Sequence, residues 1–433
     1  MSYLDDYRDE ESRSKIPYDD IPISRTYEGS SARRRRAAFN FSGYRILIIM
    51  VAVLFISNIA LCIALVHHVK TGKIKSINYY YNEYAATEET QATLAINNAK
   101  WSTVCVAAGG VCNNEYTFYN TTLAHGAGVI YRVTADTIYF ITCYHVVNGY
   151  STDEIWVMLP SQLKPIKVEL VHYSSTYDVA VLKYRTSNPS DTLDGAKPIE
   201  IYDSSYVSQG EIAYAVGNPL SGGFTISKGT ISQINAVVNV EGSMRRELQI
   251  DVPINSGNSG GGLFNAKGEF IGLVNAKLNS VNSGKLDVDG IAFAIPGNLV
   301  LSIAESIIKN NSKATYINLG VEFTHAEKMG VSQVYVNHDG ELKSLDRYYV
   351  QVSSVSKGIA YGKLHAGDII EAIEFQTEIG GVKQTIRVDM YNKYIFEDYS
   401  FAIVENSEMK FYIQGEETPV VVVASATKTV SGD

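Results

Sequence analysis

The sequence offers few groups that could bind a metal ion together, and it has no surplus of positive charge. Only four of its 433 residues are cysteine; no two form a CxxC pair, and the histidines do not cluster at the spacing of metal ligands. The formal net charge is -9, so the chain lacks the cation excess that neutralises nucleic-acid phosphates. A nucleotide-binding motif is also absent. We therefore predict no metal, no cofactor and no nucleic-acid partner.

The small number of cysteines also argues against a disulfide-rich scaffold. Cys62 and Cys143 lie in apolar runs, and we interpret both as buried thiols. Cys105 and Cys112 are close enough in sequence for a local disulfide if this region lies outside the cell, but their spacing alone does not establish the bond.

Formal charge is missing altogether from one long run, "ILIIMVAVLFISNIALCIALV", residues 46–66. About 20 apolar residues cross a bilayer as a helix, whereas a core helix is rarely apolar on every face for that length. A cleaved signal peptide fits less well, because the run begins far from the N-terminus and exceeds the roughly 7–15 apolar residues of such peptides. We predict a single transmembrane helix. The heavier basic flank, Arg33–Arg36 with Arg45, precedes it, which predicts a cytoplasmic N-terminus and an extracytoplasmic remainder.

Composition divides the rest of the chain into a polar tail, a stalk and two β-rich regions. Short β-type runs separated by Gly, Asn and Ser predict all-β domains. Apolar residues at helical spacing in "GNLVLSIAESIIKN" predict a helix that closes the first of them. The predicted segments are a disordered tail (1–45), a stalk with a potential helix (67–100), a first β domain (101–310), a second β domain (316–426) and a polar end (427–433).

The stretch "PINSGNSGGGLFN", residues 253–265, concentrates glycine around two serines. Glycine loses more backbone entropy on folding than any other residue, so this stretch needs a structural reason. One interpretation is a surface turn, since Asn, Gly and Ser are common turn residues. The other is a nucleophile loop, in which glycines let a serine Oγ and two backbone N–H groups face one point. Ser259, followed by Gly260 and Gly261, is the stronger candidate nucleophile than Ser256.

A serine nucleophile needs a base and an acid that orients the base. Of the eight histidines, only His125, His145 and His172 fall in the first β-rich region. His145 ends the apolar run "TIYFITCY", and Asp178 stands at the head of the apolar run "VAVLKY". Alone, each would be interpreted as an ordinary structural or turn residue. The chain order His145, Asp178, Ser259 is nevertheless one of the orders in which this triad occurs.

Several motifs appear in a consistent order between about residues 124 and 296. They are "GAGVI", "HVV", "DVAVLK", "INSGNSGGGLFN", "GEFIGLVNA" and "GIAFAIP". With these motifs the sequence resembles the HtrA (DegP- and DegS-like) family of chymotrypsin-superfamily serine proteases. The resemblance implies a mainly β fold: a chymotrypsin-like double β-barrel protease domain followed by a PDZ domain.

The resemblance also implies a role for each candidate residue. Ser259 would be the nucleophile, His145 would take its proton and return it to the leaving amine, and Asp178 would fix the imidazole tautomer. The segment Gly257, Asn258 and Ser259 would form the oxyanion hole, with the N–H groups of Gly257 and Ser259 as donors.

The substrate pocket is less well defined by the motifs. The resemblance implies Ile254 and either Lys277 or Leu278 as its walls, and the family's preference for small aliphatic P1 residues carries over only weakly. Three positions depart from the family pattern without removing a catalytic group: Cys143, Tyr144 and Gly262.

The second β-rich region resembles the PDZ domain that follows the protease in this family. The matching stretches are "YINLGVEF" and "VQVSSVSKGIAYGKLHAGDIIEAIEF". Backbone N–H groups of Leu319, Gly320 and Val321 could receive a peptide C-terminal carboxylate while the peptide adds as a strand to the sheet edge. The other interpretation is a small β domain with an ordinary glycine-containing turn.

We therefore predict a membrane-tethered, extracytoplasmic serine endopeptidase that cleaves misfolded or specific envelope proteins and binds peptide C-termini. The resemblance implies a homotrimer built through the protease domains. Tyr79–Tyr81 and Tyr84 could pack in that interface or belong to a solvated stalk. Two alternatives remain: a non-proteolytic chaperone or binding module on the same fold, and a protease that rests inactive until a peptide ligand reorders its loops.

Overall fold

A computed structural model describes most of the chain from residue 88 onward. The described ranges are 88–110, 124–162, 164–218, 224–240, 243–255, 257–275, 290–329, 333–336, 342–345, 347–425 and 427–429, with single positions 50, 51, 57, 112, 114 and 118. The predicted tail (1–45) and nearly all of the predicted transmembrane segment (46–66) lie outside them. Among the described residues, no helix combines the length and the apolar character needed to cross a membrane.

The predicted stalk ends in a helix, α1, at Glu88–Ala99. One side of its last turns is buried, because Ile96 and Ala99 belong to the same hydrophobic cluster as the first sheet. On another side, the Ala95 carbonyl lies so close to Gly268 that a Cβ at position 268 would be 2.6 Å from it. The end of the stalk is therefore part of the folded domain.

A seven-stranded sheet forms the first half of the first β domain, in the order β5-β4-β1-β2-β3-β7-β6. Its end strands, β5 and β6, are separated in the chain only by Val168, and the described residues show no ladder between them. The predicted first barrel is thus a curled sheet whose ends are joined through the chain. The strands are Thr103–Ala108 (β1), Ala124–Val133 (β2), Thr137–Cys143 (β3), Ile155–Met158 (β4), Ile166–Lys167 (β5), Glu169–Ser174 (β6) and Val179–Arg185 (β7).

The second half is a closed six-stranded barrel, in the order β10-β13-β12-β11-β8-β9. Its inner faces carry Val, Ile, Leu and Ala side chains that are fully buried, which is why the alternating apolar runs of the sequence form strands here. The strands are Ile212–Gly217 (β8), Thr225–Val240 (β9), Ser243–Ile250 (β10), Gly262–Phe264 (β11), Phe270–Val274 (β12) and Ala292–Pro296 (β13).

The first β domain also contains, among its described residues, the α-helices Tyr144–Val147 (α2), Pro189–Leu193 (α3) and Gly297–Asn310 (α4). The predicted helix over 297–310 is confirmed as α4. Its apolar residues pack into the hydrophobic cluster of the seven-stranded sheet, and it ends at Asn311, which has the left-handed conformation common at helix C-termini.

The C-terminal region contains a six-stranded sheet with the path β15-β18-β19-β21-β22, and β20 pairs with β19. One short helix, α5, covers Ile395–Ser400. The strands of this sheet are Val321–Lys328 (β15), Tyr348–Val355 (β18), Ile369–Ile379 (β19), Val382–Asp389 (β20), Glu408–Ile413 (β21) and Val420–Val423 (β22). Two separate two-stranded sheets pair Thr315–Ile317 (β14) with Thr427–Thr429 (β23) and Gln333–Val336 (β16) with Leu342–Leu345 (β17).

The hydrophobic core continues from the first β domain into the C-terminal region. One cluster joins barrel residues such as Leu248 and Ile250 to Ile395 and Phe411 of the C-terminal region. Another cluster, that of the seven-stranded sheet, includes Phe401 from the end of α5. The two parts therefore share apolar surface that neither buries alone.

Candidate active site

Strand pairing brings the candidate base and acid together. β3 and β7 are antiparallel, and the ladder ends with Cys143 opposite Val179. The residues that continue β3 therefore lie beside the residue that precedes β7. In this way His145, in α2, reaches Asp178, although 33 positions separate them in the sequence.

Asp178 holds His145 through both carboxylate oxygens. Oδ2 lies 2.7 Å from His145 Nδ1, and Oδ1 accepts the His145 backbone N–H at 2.9 Å. The backbone carbonyl of Asp178 also accepts the Tyr144 N–H at 3.1 Å. The Asp178 side chain is almost fully buried, while that of His145 is 20% exposed. The ring is thus fixed from the inside and open to solvent on its other side.

The backbone at Asp178 is in the left-handed region, with φ of 59°. Non-glycine residues adopt this conformation rarely, although Asp does so more readily than most. Sparsely populated backbone conformations persist where neighbouring contacts hold them. The three hydrogen bonds with residues 144 and 145 are such contacts.

Ser259 lies where the seven-stranded sheet meets the barrel. Its carbonyl accepts the N–H of Ala127 in β2 at 2.8 Å, and the N–H of Gly260 donates to Val274 in β12 at 2.9 Å. Gly126, in β2, has no room for a side chain, because a Cβ there would lie 2.7 Å from Val146 and 2.9 Å from the Ser259 carbonyl. Ser259 and Val146, the residue after His145, therefore both lie against Gly126.

The segment before Ser259 forms a tight turn. The Asn258 N–H donates to the Asn255 carbonyl at 3.1 Å, and Gly257 has φ of 98°, which a side chain would disfavour. The Asn258 N–H is therefore hydrogen-bonded within the turn. In the described part of the chain, no backbone carbonyl accepts from the N–H groups of Gly257 and Ser259. The predicted oxyanion donors, Gly257 and Ser259, are thus the two residues of the segment 257–259 whose N–H groups form no such bond.

Comparison with known proteins adds an independent observation. The model of the trypsin-like peptidase domain matches residues 126–273, which include all three candidate triad positions. A serine protease Do-like HtrA of Lactococcus lactis subsp. cremoris (strain MG1363) is 31% identical over 313 residues, covering 70% of this chain and 71% of that protein. The chain belongs to the HtrA family of trypsin-like serine proteases. It is a serine endopeptidase.

Three further HtrA proteins are similar to this chain. A serine protease Do-like HtrA of Lactobacillus helveticus is 30% identical over 258 residues, covering 58% of this chain and 59% of that protein. A serine protease HtrA-like of Staphylococcus epidermidis is 26% identical over 297 residues, covering 66% of this chain and 46% of that protein. A solved structure of an HtrA-type protease with a tripeptide is 22% identical in sequence, with a TM-score of 0.45. The match covers 77% of this chain and 96% of that chain.

One departure from the HtrA pattern has a steric explanation. This chain has Gly262 where the family usually has proline, and a Cβ at position 262 would lie 2.4 Å from the Phe264 ring. Phe264 is fully buried and packs edge-on against Phe270. Glycine at 262 therefore makes room for an aromatic pair beneath the candidate nucleophile.

A second departure, Cys143, creates the one candidate metal cluster among the described residues, with His145 and Asp178. The possible ligand atoms lie within 4.8 Å of one another. Burial raises the pKa of the Cys143 thiol, however, and the thiol donates to the Val274 carbonyl at 3.3 Å. Both Asp178 oxygens already accept from His145. These bonds favour a hydrogen-bonded dyad over a metal ligand set.

The predicted pocket residues are only partly within the described chain. Ile254 is half-buried and packs against the barrel core, while Lys277 and Leu278 lie outside the described residues. In the C-terminal region, Leu319 is buried and Gly320 has φ of 72°.

The candidate peptide-binding turn precedes an edge strand. The Gly320 N–H donates to the Asn318 side chain at 3.1 Å, and Val321 starts β15 opposite Val355. Within the described residues, β15 pairs on one side only, with β18.

Sequence reasoning missed several charged residues around Asp178. Glu247 is buried, and this burial raises its pKa to about 8; nearby Asp178 acts in the same direction, against Arg245 and Arg246. Arg245 also donates to the Ser175 carbonyl at 3.3 Å. Consecutive charges inside the strand "SMRRELQI" were the available indication, since charged residues are rarely buried unless paired.

Proposed function

We propose that this HtrA protein is a membrane-tethered, extracytoplasmic serine endopeptidase that cleaves misfolded or specific envelope proteins. The observation that supports the catalytic role is the pair of hydrogen bonds between Asp178 and His145. One joins the carboxylate to ring Nδ1 at 2.7 Å, and the other joins it to the backbone N–H at 2.9 Å. A carboxylate so placed holds the imidazole in one tautomer, with its proton on Nδ1.

In the proposed mechanism, Ser259 Oγ attacks the scissile carbonyl and transfers its proton to Nε2 of His145. Asp178 stabilises the resulting imidazolium without taking the proton. His145 then protonates the leaving amine, and the same residues activate water to hydrolyse the acyl-enzyme. The N–H groups of Gly257 and Ser259 stabilise the oxyanion, a contribution worth about 10²–10³ in rate for one such donor.

Tethering and assembly rest on the sequence. The uncharged apolar run at 46–66 with its basic N-terminal flank supports one transmembrane helix, a cytoplasmic N-terminus and an extracytoplasmic protease in the cell membrane. The HtrA likeness supports a homotrimer. Sedimentation of the detergent-solubilised chain would separate a trimer from a monomer.

The C-terminal region is proposed as a PDZ domain that binds peptide C-termini. Support comes from the one-sided pairing of β15, which leaves an edge for a peptide strand. The turn Leu319-Gly320-Val321 lies at the start of this edge, although its Gly320 N–H donates to the Asn318 side chain. We expect a peptide ending in a hydrophobic residue to bind with a free carboxylate and to bind far more weakly as its C-terminal amide. Equal binding of both forms would contradict carboxylate recognition.

The catalytic proposal is tested by comparing wild type with Ser259→Ala, Ser256→Ala and Asp178→Asn. We expect wild type and Ser256→Ala to cut casein and react with a fluorophosphonate probe, while Ser259→Ala does neither. Asp178→Asn should lower kcat by about 10⁴, because the amide favours the wrong imidazole tautomer.

Two outcomes would change the proposal. Probe labelling without cleavage would indicate a resting enzyme that needs a peptide activator. Neither labelling nor cleavage by correctly folded wild type would favour a non-proteolytic binding module.

A further inference from the structure

The residue before the candidate acid contacts the C-terminal region. The Tyr177 hydroxyl donates to Oε1 of Glu397 in α5 at 2.8 Å, across 220 sequence positions. The Tyr177 ring also packs edge-on against Phe401, with centroids 5.5 Å apart. Tyr177 and Asp178 are joined by one peptide bond, so a restraint on the first acts directly on the backbone of the second.

Three elements restrain one another around this point. Arg245 of β10 donates to Ser175 in the loop before Asp178. Arg246, the next residue of β10, forms an ion pair with Asp398 of α5. The Tyr177 hydrogen bond connects the loop to α5 and completes the set of contacts.

The ion pair in this set is shielded from water, while Tyr177 and Glu397 are half-buried. Asp398 is 3% exposed and Arg246 9%, so their ion pair is screened little by solvent. Burial raises the pKa of the Tyr177 hydroxyl, which therefore keeps its proton and acts as the donor while Glu397 accepts.

We propose that Tyr177, held by Glu397 of α5, is a positioning residue that keeps Asp178 in its left-handed backbone conformation and in contact with His145. The inference rests on the proposed roles of Asp178 and His145. The C-terminal region then contributes to the chemical step itself, in addition to any part in peptide recognition.

The test uses the full chain with Tyr177→Phe, which removes the hydroxyl, and Glu397→Met, which removes the acceptor at similar size. Glu397→Gln is the conservative variant, because its amide oxygen still accepts. The matched control is Tyr412→Phe, which deletes another Tyr–Glu hydrogen bond, to Glu374 at 3.3 Å, within the C-terminal sheet.

We expect kcat on a peptide substrate to fall about tenfold in Tyr177→Phe and Glu397→Met, below the roughly 10²-fold effect of a 1 Å misplacement. KM should stay within about twofold, because the pocket is untouched. The double variant should be no slower than either single variant. Glu397→Gln should recover most of the rate, and Tyr412→Phe should resemble wild type.

The pH profile separates positioning from simple destabilisation. A looser Asp178 stabilises the imidazolium less, so the acidic limb of kcat/KM should move to lower pH in Tyr177→Phe and Glu397→Met. The other titratable groups near the dyad, Cys143, Arg245 and Glu247, are the same in every variant. A loss of folded enzyme would lower the rate without moving this limb.

Active-site titration with the fluorophosphonate probe measures the folded, assembled fraction of each variant. The proposal fails if kcat per labelled site and the acidic limb match wild type in Glu397→Met. It also fails if Glu397→Gln is as slow as Glu397→Met. A wild type that neither labels nor cuts would instead overturn the proposed function.

Discussion

Gly260, directly after the proposed nucleophile, is enclosed by backbone. Its φ is 82°, and a Cβ there would lie 2.3 Å from both the Ala127 carbonyl and the Thr142 hydroxyl. Gly149 has nearly the same φ, 85°, but nothing within 4 Å of the added atom. The two glycines therefore separate the effect of conformation from the effect of crowding.

We expect Gly260→Ala to lower the free energy of unfolding by about 3 kcal/mol or more, because overpacking adds to the left-handed strain. Gly149→Ala should cost only about 1–2 kcal/mol, the strain alone. Urea unfolding of both variants measures the difference. Equal losses would show that the contacts around Gly260 relax freely.

Glu247 makes stability depend on pH. Its pKa in the folded protein is about 8, against 4.5 ordinarily, so the folded state holds a proton that the unfolded chain releases between these values. The associated stabilisation is fully present below about pH 4.5 and is lost as the pH rises through 8. Removing the ionisable group should remove this dependence.

We expect wild type to lose stability relative to Glu247→Gln as the pH rises from 5 to 8, by at most about 1.4 kcal/mol per pH unit. The amide matches the shape of the protonated carboxyl and cannot ionise. Thermal unfolding of both proteins at several pH values checks this. Parallel curves would mean that Glu247 is already ionised at pH 5.

At the scale of single residues, the sequence identified His145 and Asp178 from their positions at run ends, and the structure brings them into contact; their roles stay a prediction. It did not identify Tyr177, because a tyrosine among 30 scattered tyrosines carries no local indication. Its partner Glu397 is defined only by the packing of α5 on the loop.

Among the elements, α5 is joined to β10 by a buried ion pair, Arg246 with Asp398. Burial raises the pKa of Asp398, while Arg246 opposes this shift. A buried charge that loses its partner is costly, whereas an apolar replacement of both is often tolerated. The exposed pair Lys197–Glu200, at 42% and 62% exposure, is the natural comparison.

We expect Arg246→Met to destabilise the protein by about 3–5 kcal/mol and Arg246→Met with Asp398→Leu to recover much of that loss. Lys197→Met should cost at most about 1 kcal/mol, because solvent screens that pair. Denaturant midpoints of the three proteins measure this. A harmless Arg246→Met would show that Asp398 is protonated in the fold.

Strands and helices were predictable where apolar side chains formed a continuous run or recurred at helical spacing. The apolar runs "TIYFITCY" and "VAVLKY" identified β3 and β7, and helical spacing identified α4. β1, "TVCVAA", and β11, "GLF", were missed, because the first uses small residues and the second lies inside the glycine-rich stretch. α5 has no such pattern either, and its position depends on contacts distant in sequence.

At the scale of the whole molecule, the protease strands and the C-terminal sheet share hydrophobic clusters. We expect residues 88–429 to unfold in one calorimetric transition. Phe401→Ala should shift that single transition to lower temperature, with a loss of about 3–5 kcal/mol.

Tyr361 provides the control, since it is 64% exposed in the same region and Tyr361→Ala should change stability by no more than about 0.5 kcal/mol. Two resolved transitions, of which Phe401→Ala moves only one, would show that the protease and the C-terminal sheet are independent folding units.

The place of Phe401 in the protease core has a consequence for biosynthesis. Chains emerge from the ribosome N-terminus first, at about 5–20 residues per second. All strands of the barrel leave the ribosome before Phe401 does. The hydrophobic cluster of the seven-stranded sheet is therefore complete only after the C-terminal region has been synthesised. A chain released before residue 401 therefore lacks one buried aromatic side chain of this cluster, the one that packs against Tyr177.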